Sequence, residues 1–145
     1  MRLDLDAAIS EEFDVDRMLP APAQGAMAIQ CRAGDRDLIL RLSTLNHAPT
    51  RQAVDAERAM LHELGGGCSV PVGAVARVDA AGIHLTGAAF SLQSLPPARA
   101  RQIGSDPEEV GKLAAAELMA RGAGPILEEF QKHIGQSPLL AGEQS

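Results

Sequence analysis

The chain has 145 residues, of which 46% are hydrophobic, and carries a net charge of −6; that length suffices for one domain with its own core, or one domain plus a fragment of another. With three Phe and neither Trp nor Tyr, the core has to come from Leu, Ile, Val, Ala and Met, and both this scarcity of rings and the acidic balance argue against nucleic acid as a partner. No apolar run approaches the roughly 20 residues needed to span a bilayer, and acids stand where a signal peptide needs a basic start, so a cytoplasmic protein with no membrane partner is expected.

Residues 1 to 18 are charged and weakly periodic, with Phe13 and Val15 as isolated apolar points. Leu19-Pro20-Ala21-Pro22-Ala23-Gln24-Gly25 reads as a turn or extended linker, because two prolines and a glycine interrupt any regular element. From Gly25 to Arg32, Met27, Ile29 and Cys31 alternate as a strand would require. Gly34-Asp35 opens a helix carrying Ile39 and the spaced Leu38, Leu42 and Leu45. A second helix is predicted from Pro49 to Leu64, with Val54, Leu61 and Leu64 as its stripe, flanked by Ala53, Ala56 and Met60. It stops at Gly65-Gly66-Gly67.

Ser69 to Val78 has strand alternation, with Val70, Val72, Ala74, Ala76 and Val78 on one face. Asp79-Ala80-Ala81-Gly82 signals a hairpin, Ile83 to Phe90 returns, and Ala98 to Ile103 adds a third strand. Ser105-Asp106-Pro107-Glu108-Glu109 starts a helix with a cap, a first-turn proline and a Glu three residues on. Its stripe is Val110, Leu113, Ala114 and Leu118, and Gly122 and Gly124 end it. Pro125 starts a last helix with Ile126, Leu127, Phe130 and Ile134 inside, and the tail from Gly135 is expected to fray.

The order implies an α+β fold: a small antiparallel three-stranded sheet covered by helices, preceded by a strand-helix segment of interdomain character. Two regions are expected. Residues 46–145 form the C-terminal domain. Residues 1–45, with one strand and one helix, cannot close a core and belong with something larger.

Gly65-Gly66-Gly67-Cys68-Ser69 is the first candidate for chemistry. Glycines let a ligand approach the backbone closely, and an accessible cysteine is a nucleophile once ionised. The alternative is a helix cap followed by a buried structural cysteine. The loop is not a phosphate loop, since no lysine follows and it ends a helix. Cys31 and Cys68 make no disulfide framework, and a redox-thiol role fits poorly without a nearby second cysteine. Cys31, Cys68, His47, His62, His84 and His133 match no zinc spacing, so no metal site is expected.

Three segments together resemble the porphobilinogen deaminase (hydroxymethylbilane synthase) family. Leu19 to Arg32 is similar to its crossover segment. Ala56-Glu57-Arg58-Ala59-Met60-Leu61, followed by Leu64-Gly65-Gly66-Gly67-Cys68-Ser69-Val70-Pro71-Val72-Gly73, is similar to its cofactor loop. Leu85-Thr86-Gly87 falls on its second C-terminal strand. The resemblance implies a transferase of tetrapyrrole, and hence porphyrin and heme, biosynthesis. Its members join four porphobilinogen molecules into hydroxymethylbilane on a dipyrromethane held by a thioether, and Cys68 matches the cysteine that carries this cofactor. Arg2 falls where the family has a substrate-pocket arginine. Residues 1–45 would then be the tail of the second domain and the crossover strand and helix returning to the first, and residues 46–145 the cofactor-carrying domain.

No residue matches the family's catalytic aspartate, which the resemblance places in the first domain. The chain alone is therefore expected to be inactive. Its partners would be the growing pyrrole chain and a separate N-terminal fragment. A binding or interaction module that keeps the fold without the reaction is the alternative. The sequence also departs from the family pattern: Ala23 stands where glycine is usual, Gln30 where glutamate is usual, Asp4 where glycine is frequent, and Gly65 where glutamate is frequent.

Overall fold

The computed structural model describes residues 6–65, 70–93 and 96–135. In chain order these hold a 3-10 turn at Asp6–Ala8, helices α1 (Arg36–Ser43) and α2 (Ala48–Glu63), strands β1 (Val72–Asp79), β2 (Gly82–Ala89) and β3 (Ala98–Gly104), and helices α3 (Pro107–Ala120) and α4 (Ala123–Gly135). The three strands form an antiparallel meander in the order β1-β2-β3. The α+β architecture expected from the sequence is the one observed.

Alternation sets which face of the sheet is buried. Val72, Ala74, Ile83, Leu85, Ala89, Ala98 and Ala100 join Ala56, Met60, Val110, Ala114 and Leu118 in one core, with Val70, Ala76 and Val78 packed at its margin. The helices therefore cover one face, and small residues let them approach closely. A Cβ on Gly111 would lie 2.5 Å from the Ala59 Cβ and 2.6 Å from the Ala56 carbonyl oxygen, so α2 and α3 meet nearly backbone to backbone. The β1–β2 hairpin turns through Ala80 and Ala81, between paired Asp79 and Gly82. Gly82 holds φ +128, a conformation that glycine permits.

Several expectations are corrected. Residues 26–32 are not a strand; they have no ladder partner, and Met27 is 95% exposed. The buried line of α2 runs through Ala56, Glu57 and Met60, while Val54 and Leu61 are only half-buried. Leu113 is exposed, and α3 instead buries Gly111 and Ala115 beside Val110, Ala114 and Leu118, because its close contact with α2 selects small side chains. Gly122, at φ +95, ends that helix, but Gly124 and Pro125 lie inside the first turn of α4. The Asp106 carboxylate caps α3 through the Glu109 N–H at 2.8 Å, and Asp35 caps α1 through the Leu38 N–H at 3.2 Å.

Between residues 7 and 46 only Leu19 is buried. It sits over Gly73, where an added Cβ would meet the Leu19 Cβ at 2.8 Å and the Phe90 ring at 3.2 Å. Helix α1 buries no residue and packs substantially on no other helix or strand.

Candidate functional site

Cys68 and Arg2, the two residues singled out from the sequence, lie outside the described residues, as does the tail beyond Gly135. The described residues define the two ends from which the cysteine loop departs. On one side α2 closes with Leu64, buried in the core, its N–H bonded to the Met60 carbonyl at 3.2 Å. Gly65 follows at φ +100, with open space where a side chain would be. On the other side Val72 is buried, and its N–H is held by the Val70 carbonyl at 2.8 Å. Leu64 and Val72 are thus both held in the core on either side of residues 66–69.

The crossover segment is fastened to the domain. The Ala74 N–H donates to the Pro20 carbonyl at 2.9 Å. Glu57, 7% exposed, accepts from the Ala23 N–H at 2.5 Å with Oε2 and from the Ala76 N–H at 2.6 Å with Oε1. Burial pushes the Glu57 carboxyl above the ordinary glutamate range, against the pull of the Ala23 and Ala76 amides. Ala23 itself has φ +63, so the position where the family pattern usually has glycine does need left-handed backbone. No role for Glu57 was read from the sequence. Its signal was an acid lying between Ala56 and Met60, inside the apolar line of a helix.

Among the described residues the arginines lie in separate places. Arg51 and Arg58 line an open groove with Met27, Ile29, Ile39 and Val54 between the crossover, α1 and α2, and Arg51 is paired with Asp55 at 2.9 Å. Arg77 and Arg101 lie instead on the uncovered face of the sheet. There the Asp16 carboxylate pairs with Arg101 at 3.1 Å, and its carbonyl accepts from Arg99 at 3.1 Å. Cys31 is half-buried. Among the described residues no group of His, Cys, Asp and Glu could hold a metal ion, and no helix is long and apolar enough to cross a membrane.

Comparison with known proteins returns one family along most of the chain. The family model described as porphobilinogen deaminase, C-terminal domain, matches residues 51–120, and that described as porphobilinogen deaminase, dipyromethane cofactor binding domain, matches residues 1–40. The chain is 43% identical over 136 residues to the porphobilinogen deaminase of Brevibacillus brevis, covering 93% of this chain and 44% of that protein. It is 41% identical over 137 residues to that of Moorella thermoacetica, with the same coverage, and 46% identical over 132 residues to that of Mycolicibacterium gilvum, covering 83% and 42%. The chain thus spans less than half the length of these curated relatives.

Proposed function

This chain belongs to the porphobilinogen deaminase family, and from that membership we propose that it is the C-terminal, cofactor-carrying region of a hydroxymethylbilane synthase, acting on four porphobilinogen molecules in succession. The attachment point in this reading is Cys68, whose sulfur would hold the dipyrromethane through a thioether. When bound, that group supplies the pyrrole carbon onto which each new unit is joined. What this chain contributes is the anchor and its placement. Leu64 and Val72 are held in the core on either side of Cys68, and a glycine-rich sequence next to the thiol sets few steric limits on a chain that lengthens from one sulfur. Arg2 is proposed as a contact for the acidic substituents of the substrate.

The observation that supports this reading is the coincidence of one thiol with a glycine-rich loop whose two ends are both rooted in the core. The chain alone should not turn over porphobilinogen. General acid–base groups typically contribute about 10²–10⁴-fold, charge-stabilising groups add comparable factors, and an anchor supplies neither. The partner proposed is a separate N-terminal fragment bearing those groups.

Incubation with porphobilinogen, with and without the upstream half of a relative, followed by oxidation and detection of uroporphyrin, tests this. Product is expected only in the paired reaction and is lost in Cys68→Ser. Turnover by the 145-residue chain alone, or turnover in the paired reaction that survives Cys68→Ser, overturns the reading.

A further inference from the structure

A buried carboxylate that bonds two backbone amides on separate segments restrains where those segments can go. Glu57 does this between the two matched regions: Ala23 lies in the region matched at 1–40, and Glu57 and Ala76 lie in that matched at 51–120. Beyond Ala23, no residue from 24 to 46 is buried, and α1 packs substantially on no other helix or strand. Helix α1 has no buried residue, and Met27 and Ile29 are exposed. The direction in which the crossover leaves the domain is therefore decided at residues 20–23.

We propose that Glu57 is a positioning residue, a joint that sets the angle between the crossover and the helix carrying the cofactor loop. Its bearing on pyrrole addition rests on the function proposed above; its bearing on the geometry of the chain does not. The chemistry of the joint is specific. Two N–H donors face two oxygens of one side chain, and only a carboxylate has two acceptor oxygens. Glutamine offers one oxygen and one NH₂, so one amide meets a donor. Aspartate keeps both oxygens on a stem one methylene shorter and cannot span both amides.

The joint is tested on the full chain by residue-resolved amide hydrogen exchange, together with a spin-label distance across it. The labels are placed at Cys31 and at His62→Cys, in a Cys68→Ser background. In Glu57→Gln, loss of a hydrogen bond of typical net strength should speed exchange at Ala23 or Ala76 by about tenfold. Amides between β2 and β3 should stay within about twofold of wild type if the sheet itself is intact. The distance distribution should broaden. A role confined to overall stability would lower protection across the whole sheet and leave the distribution as narrow as before; that result, or unchanged exchange at both amides, overturns the proposal. If Glu57→Gln does not fold, Glu57→Asp gives the same two readings. Neither measurement uses porphobilinogen, so a chain that passes both yet gives no turnover with the upstream half refutes the proposed function and leaves the joint standing.

Discussion

Ala23 keeps a left-handed backbone, φ +63, on a residue with a Cβ, a conformation that costs an L-residue about 1–2 kcal/mol. Ala23→Gly removes that strain but adds freedom to the unfolded chain, worth roughly 0.4–1 kcal/mol, so a net gain of up to about 1 kcal/mol is expected by chemical denaturation. Glu57→Gln should go the other way, costing about 1–3 kcal/mol because a buried donor loses its acceptor. The pH dependence of that difference has a definite sign. Burial raises the Glu57 carboxyl above its unfolded value, so the folded state holds this proton more tightly. The resulting stability is fully present below the unfolded value of about 4.3 and is lost as pH rises through the folded value. Asp79 works in the opposite sense, held low by the Ala81 N–H and then by His84, but it is common to both proteins and cancels in the comparison. The advantage of wild type over Glu57→Gln should thus grow as the solution is acidified, and a difference independent of pH would show that the carboxyl is not raised. Among the thiols, Cys68 should alkylate faster than half-buried Cys31; mass mapping reads this directly.

At the scale of elements, Asp106 and Gly111 dominate the behaviour of α3. Asp106→Ala removes the cap on the Glu109 N–H and should cost about 1 kcal/mol. Gly111→Ala should cost more, at least about 1–3 kcal/mol, since the new methyl meets α2 backbone at 2.6 Å and has nowhere to go. Thermal unfolding of the two variants ranks them, and the reverse order would mean that α3 can slide away from α2. The elements from α2 to α4 were legible in the sequence because local signals agreed with tertiary needs. Alternation in β1 matches its buried face, and the Ser105–Glu109 start signal matches the observed cap. The misses have a shared cause. Periodicity says that a residue repeats on one side, not which side meets a neighbour. Thus Met27 and Ile29 alternated without a strand to pair with, and Leu113 lost its place to Gly111 and Ala115, where α2 comes too close for a leucine. Of the candidate site, the cysteine loop was legible as a motif. Glu57 was not, because its value depends on amides 34 residues before it and 19 residues after it in sequence.

Over the whole molecule, order should be uneven. The core draws its residues from between Ala56 and Leu127, whereas no residue of 24–45 is buried, so hydrogen exchange should show slow amides in the helices and strands from 47 to about 134 and fast ones across 24–45. Strong protection through Ala26–Leu45 in a monomer would contradict this. The sheet is small, and each of its outer strands meets a glutamate from a helix: Glu57 takes the Ala76 N–H on β1, and Glu117 takes the Arg101 N–H on β3 at 3.2 Å. A three-stranded sheet with bare edges invites strands from other molecules to continue the ladder. Here a carboxylate takes one donor on each outer strand, and on β1 the Pro20 carbonyl takes a second, from Ala74. The side chain that orients the crossover thus also takes a ladder donor of β1, as Glu117 does on β3, and replacing both should free one edge N–H on each outer strand, read as faster exchange at Ala76 and Arg101.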